Sequence, residues 1–240
     1  ACIRLGDGTN ATRYTCNVTV KGCTFDVPGA VGVKSYTGGD KNLTIKGCTA
    51  TDKAHSMLQA KGIDVILVEG CTVNSKNGLN FNNSNNVVVE SSNVEVKGYA
   101  VRFGEGSSDT TGAAETYTIE NSTLKSACDE ADDAVIILRG SAANATLNLR
   151  NTTIEGTRQI INNTNAKVYV DGAIVASSPE ALNNAIAAGN DAYLLPGNYT
   201  MPAVTGKELT ISGTRDVVIT VNKPAMYGSD ITFEGVTVKG

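Results

Sequence analysis

Chemistry in this chain would have to come from a few polar clusters. The densest is the acidic run Cys128-Asp129-Glu130-Ala131-Asp132-Asp133. Carboxylates at this density are what a hard cation such as calcium takes as ligands. Asp129, Glu130, Asp132 and Asp133 therefore form a candidate calcium set. Two carboxylates can also flank a glycosidic bond as acid and base, which makes Asp132 and Asp133 candidate catalytic residues. The competing reading is a solvated loop that keeps the protein soluble, and the commonness of acidic pairs favours it.

Three thiols, Cys23, Cys48 and Cys71, recur in one repeated context. They could form a redox or metal site, or a buried stack of small side chains, since free Cys is often buried. No CxxC pair exists and His55 is the only histidine, which argues against zinc. Cys2 and Cys16 could pair, and their spacing leaves the question open. Asn80 and Arg102 occupy equivalent positions in two similar segments, so they would form a polar strip suited to an extended polymer such as a glycan. There is no Trp. Tyr14, Tyr36 and Tyr99 are the candidates for stacking on sugars. Several Asn-x-Ser/Thr triplets occur, including those at Asn17, Asn42, Asn121, Asn144, Asn151 and Asn198. They are glycosylation acceptors in a secreted eukaryotic protein, or a by-product of Asn-rich turns beside Thr-rich strands.

The elements that must position these residues are set by a repeat. The stretch Asn42-Leu43-Thr44-Ile45-Lys46-Gly47-Cys48-Thr49-Ala50 recurs from Asn17 and again from Val65. Its grammar is period-two alternation, then Gly, then a small residue, then alternation again. Period two is the mark of a strand with one buried face. The first inward column reads Val18, Leu43, Ile66, Val87, Tyr117, Leu147, Val168, Leu209 and Ile231. The bend column reads Gly22, Gly47, Gly70, Ser91, Asn121, Asn151, Gly172, Gly213 and Gly235. Gly and Asn accept positive φ at low cost, so each bend is expected to turn the strand sharply. A further strand precedes each copy, as in Gly78-Leu79-Asn80-Phe81 and Ala100-Val101-Arg102-Phe103. Turns with two or three short strands, each pairing with its copy above and below, describe an all-β parallel solenoid. About nine rungs at the usual strand spacing of about 4.8 Å would give a rod of roughly 43 Å.

Composition agrees. Of 240 residues, 25 are Gly and only 18% are charged, a mix suited to strands and tight turns. The net charge of −4, without a basic tract, argues against nucleic acid as a partner. No apolar run is long enough to span a bilayer.

The rungs resemble the right-handed parallel β-helix of the pectin lyase-like superfamily. This resemblance implies a right-handed coil and a link to extracellular polysaccharides. Pectate lyases of this kind use calcium and an arginine base, which adds Arg102 and Arg139 to the catalytic candidates. Polygalacturonase-like relatives use aspartates with a Gly-His-Gly. Here Asp132-Asp133 matches only the Asp pair, and His55 lies in Lys53-Ala54-His55-Ser56, so the hydrolase pattern is absent.

Ser178-Pro179-Glu180 opens a helix near 179–188, with Ser as N-cap and Pro at its first position, and Gly189 ends it. The passage Leu195-Pro196-Gly197-Asn198-Tyr199 follows. A helix followed by such a passage commonly starts a β-helix in the resembled superfamily. The expected organisation is a β-helix over 1–176 and, over 177–240, either the helix-capped start of a further segment or a continuation of the same rod. Both ends read as open solenoid turns that neighbouring segments or chains could cover. The functional expectation is a non-catalytic, extracellular or surface β-helix protein, bacterial in type, that contacts glycans or serves adhesion. The alternative is a polysaccharide lyase or related enzyme using the acidic run.

Overall fold

A computed structural model describes residues 1–6, 16–35, 41–104, 115–128, 130, 132–222 and 226–240. Asp129, Tyr14 and Tyr36 lie outside the described residues. The chain is all-β with one α-helix among the described residues, and it packs as two compact units, Ala1–Ala166 and Lys167–Gly240.

The first unit is built of parallel strands in stacked sheets, an arrangement that fits a β-helix. Its first sheet contains Ile3–Leu5, Val31–Ser35, Ser56–Lys61, Leu79–Asn82, Val101–Phe103, Ile136–Leu138 and Ile160–Asn162. The second contains Cys16–Lys21, Lys41–Lys46, Val65–Glu69, Asn86–Glu90, Thr116–Glu120 and Thr146–Arg150. The third contains Thr24–Phe25, Thr49–Ala50, Thr72–Val73, Asn93–Val96, Thr123–Ser126 and Thr153–Glu155.

Register in the second sheet follows the inward column of the sequence. Val18 pairs with Leu43, Leu43 with Ile66, Ile66 with Val87, Val87 with Tyr117, and Tyr117 with Leu147. Alternation puts these residues inside, where Leu43, Ile66, Val87, Tyr117 and Leu147 are buried. Like side chains then sit one above another. Phe81 stacks on its register partner Phe103 with centroids 5.4 Å apart, and across the interior Phe103 packs on Tyr117 of the second sheet at 4.1 Å.

After each second-sheet strand the chain bends through one residue with positive φ. Gly22, Gly47, Gly70, Ser91, Asn121 and Asn151 span 43° to 63°. A left-handed backbone bends the chain sharply and lets alternation restart in the third sheet.

The second unit departs from this pattern. Asp171 and Gly172 both take positive φ, at 48° and 93°. That is a two-residue hairpin turn, for which Asp-Gly is a strong signal. Lys167–Val170 and Ala173–Ala176 consequently pair antiparallel. Gly172 is therefore half of a hairpin and not a one-residue bend. Gly213 is not a left-handed bend either. An added Cβ there would lie 3.0 Å from both the Leu194 carbonyl oxygen and Val217, so close packing explains the glycine.

The helix Pro179–Ala188 forms where its capping signals place it. Ser178 Oγ accepts the Ala181 N–H at 3.1 Å, and Gly189 closes it at φ 75°. Leu182, Ala185 and Ile186 form its buried face, in one core with Ala192, Leu194, Tyr199 and Ile211. The Tyr199 hydroxyl sits between the carbonyl oxygens of Leu195 at 2.8 Å and Ala176 at 3.1 Å. Beyond the helix the strands are parallel again, with Ala173–Ala176, Ala192–Leu194, Glu208–Ser212 and Asp230–Glu234 adjacent in one sheet. Gly197–Thr200, Val217–Thr220 and Thr237–Lys239 form a second, and Val204–Thr205 and Met226–Tyr227 a third.

The bend at Gly47 isolates the conformational term, because an added Cβ would meet nothing within 4 Å. Gly47→Ala should lower the unfolding free energy by about 1–2 kcal/mol, the usual cost of a left-handed alanine. Gly47→Asn should lower it by less than half as much. Urea unfolding of the two variants checks this, and equal losses would contradict it.

Candidate functional site

The acidic loop gains its shape from two arginines. Arg139 Nη2 donates to the Asp132 carbonyl at 2.6 Å, and Arg158 Nη1 to the Glu130 carbonyl at 3.1 Å. Both grip the backbone, which leaves the Asp132 carboxylate exposed at the surface. Three side chains converge within 4.8 Å of one another: Cys128, Glu130 and Asp133. The Cys128 thiol lies 3.7 Å from Asp133 Oδ2, and its sulfur accepts the Glu130 N–H at 3.4 Å. Of the candidate metal set, Glu130 and Asp133 thus come together with a sulfur that the sequence reading left out, while Asp132 is not in that group. Sulfur is a poor ligand for calcium, which takes oxygen. The local signal for Cys128 is its place two residues before Glu130, a spacing that lets the sulfur cap that N–H.

A second polar region lies on the outer face of the first sheet. Register aligns Arg4, Lys34, Gln59, Asn80, Arg102 and Ile137 in one outward column. Asn80 and Arg102 are direct neighbours in it, as their sequence positions imply. A cleft of about 240 Å³ opens over this face, lined by Lys34, Gln59, Lys61, Asn80 and Asn82 among others. Asn80 and Asn82 are only 5% and 2% exposed. Asn80 Oδ1 is buried without a hydrogen-bond partner in the protein. A buried acceptor left unmade costs about 1–3 kcal/mol, so a donor from a ligand gains here.

Lys34, Gln59, Lys61 and Asn82 were not singled out in the sequence. Each occupies a polar slot in an alternating strand, and only the stacking of turns brings them together. Tyr99, a candidate for sugar stacking, is 5% exposed. Arg102 lies over its ring at 4.6 Å, and the ring packs with Ala134 and Ile137. Its face is occupied from within the protein, so it offers no stacking platform.

The cysteine column has a structural role. In each bend the small polar side chain reaches back to the carbonyl two residues earlier. Cys71 Sγ does so to Glu69 at 3.4 Å, Ser92 Oγ to Glu90 at 2.9 Å, Ser122 Oγ to Glu120 at 2.8 Å and Thr152 Oγ1 to Arg150 at 2.9 Å. The same atoms accept backbone N–H groups from the preceding turn. Cys23 N–H donates to Cys48 Sγ at 3.4 Å, Cys71 N–H to Ser92 Oγ at 3.1 Å and Ser92 N–H to Ser122 Oγ at 3.1 Å. Three thiols and then three hydroxyls continue one ladder, because either group can fill the slot. Burial pushes the Cys71 thiol up from its ordinary range, which suppresses the reactive thiolate. Cys2 carries a free, exposed thiol, and the side chain of Cys16 lies outside the described residues.

One buried titratable pair escaped the sequence reading. Glu115 is 2% exposed and accepts a short hydrogen bond from the Tyr117 hydroxyl. Burial, then the neighbouring Glu115 charge, raises Tyr117 far above the ordinary tyrosine range.

Comparison with protein-family models, with curated proteins and with solved structures found no match for this chain.

The Tyr117 shift gives stability a pH dependence. Above about pH 10 the unfolded tyrosine loses its proton while the folded one keeps it, so stability falls as pH rises. The contribution is fully present below about pH 10. Tyr117→Phe removes this group's titration, so its urea midpoint should decline less between about pH 9.5 and pH 11 than that of the parent. Parallel declines would contradict the assignment.

Proposed function

We propose that this chain is a non-catalytic, right-handed parallel β-helix protein of the pectin lyase-like type, of about nine rungs. In this reading it is secreted or surface-exposed and contacts glycans along the outer face of its first sheet. The observation that supports the reading is the buried, unpartnered Oδ1 of Asn80 lining a polar cleft. A sugar hydroxyl is a donor of the right kind for that oxygen. Asn82, Gln59, Lys34 and Lys61 supply further donors beside it. The aligned column Arg4, Lys34, Gln59, Asn80 and Arg102 repeats at the strand spacing, which suits a polymer lying along the sheet.

The competing reading is a polysaccharide lyase or hydrolase centred on Asp132, Asp133, Arg102 and Arg139. Arg139 does reach Asp132, which favours that grouping. The contact is to the Asp132 backbone carbonyl, so Arg139 acts there as a loop brace.

The test is affinity electrophoresis of the chain through gels containing neutral or acidic polysaccharides, alongside product analysis. At least one polysaccharide should retard the protein, and Asn80→Leu should weaken that retardation about tenfold, as expected for loss of one buried hydrogen bond. Retention of full binding in Asn80→Leu, or no retardation by any polysaccharide, would count against the reading. Calcium-dependent release of unsaturated sugars that disappears in Asp132→Ala would establish the enzymatic alternative instead.

A further inference from the structure

The chain passes from the third sheet to the first through a corner whose copies stack turn on turn. His55 N–H donates to the Ala30 carbonyl at 2.8 Å, Asn77 N–H to the His55 carbonyl at 2.8 Å, Lys76 N–H to the Ala54 carbonyl at 3.1 Å and Gly98 N–H to the Lys76 carbonyl at 2.8 Å. These bonds place Lys76 level with Ala54 and Gly98, so Lys53, Lys76 and Lys97 come from three successive turns with Lys76 offset by one residue. All three line one recess of about 300 Å³, together with His55 and Asp52.

The charges there are unevenly matched. Lys53 is held by Asp26 at 2.7 Å, and Asp52 adds a second carboxylate nearby. Lys76 and Lys97 have no ion-pair partner among the described residues. Neighbouring turns are about 4.8 Å apart, and like charges on adjacent strands disfavour one another. A bound anion removes that repulsion and gains charge-assisted hydrogen bonds.

One lining residue, His55, has a side-chain neighbour behind it. Asn77 Nδ2 lies 3.4 Å from His55 Nε2. A Cβ at position 98 would lie 2.1 Å from Asn77 Oδ1, so the Asn77 side chain can take this place only because Gly98 has none. His55 and lysines from three successive turns border the recess. A tetrahedral oxyanion presents oxygens in matching directions, and the volume leaves room for a group that carries it.

We propose that this corner binds phosphate or sulfate, either free or as an ester on a polymer. The site shares no residue with the first-sheet cleft, so it stands or falls separately from the glycan reading.

Isothermal titration of the whole chain with sodium phosphate, sodium sulfate and dextran sulfate tests it, with sodium chloride holding ionic strength constant. Saturable binding is expected, weakened about tenfold or more in Lys76→Gln/Lys97→Gln and unchanged in Lys239→Gln, which alters an exposed lysine outside both recesses. Gly98→Ala should also weaken binding by moving Asn77 away from His55, with all charges retained. Lys76 and Lys97 are exposed, so the double variant should keep the parent circular dichroism spectrum. Tighter binding of dextran sulfate than of sulfate would assign the ester form. Equal affinity per anion would assign the free ion, and either result supports the site. Absence of saturable binding, or full affinity in the double variant, would overturn it.

Discussion

The first unit depends on one constraint: a single left-handed residue must end each second-sheet strand, and the next side chain must satisfy the backbone that the bend disturbs. Gly47 and Asn121 supply the bend at φ 58° and 50°. Cys71, Ser92 and Ser122 supply the small side chain that caps a carbonyl in its own turn. Cys71 and Ser92 also donate their N–H groups into the next turn. A larger residue would not fit the slot, and an aliphatic one would leave buried polar groups unpaired. Once the bend is fixed, the alternation on either side of it sets which side chains face inward. Parallel pairing then stacks like on like.

This constraint decides where chemistry can reside. Interior columns are committed to packing, so thiols that look reactive in the sequence are ladder members, and burial raises the Cys71 thiol. Positions free to vary are the outward slots and the corners between sheets. The Asn80 cleft, the lysine corner and the acidic loop all occupy such places. In the first two, residues far apart in sequence become neighbours because the turns stack in register, while the acidic loop gathers Cys128, Glu130 and Asp133 by its own local shape.

Much of this was legible in the sequence. The inward column Val18, Leu43, Ile66, Val87, Tyr117 and Leu147 is the observed register, because alternation and the bend residue together leave no freedom to slip. The helix was equally legible from Ser178, Pro179 and Gly189. Other features were not. Asp171-Gly172 carried a hairpin signal that the repeat alignment masked, since Gly172 also fits the bend column. Gly213 fits that column too, yet its reason is contact with Leu194 and Val217, which no local pattern encodes. Cys128 joined Glu130 and Asp133 through the shape of a loop. Burial of Tyr99 depended on Arg102 and Ile137 from neighbouring strands. Pairings set by tertiary packing have no signature in periodicity.

The central claim is that stability comes from in-register stacking of equivalent turns. Val65 pairs with Asn86, so deleting residues 65–85 removes one whole turn and joins Asp64 to the strand that takes its place. Deleting 65–75 removes about half a turn and breaks the register. Circular dichroism with urea unfolding of the two deletions is the most direct measurement. The account predicts that the whole-turn deletion folds cooperatively with a β spectrum, as expected when each repeat touches only its neighbours, while the half-turn deletion does not. Equal loss of structure in both would contradict it.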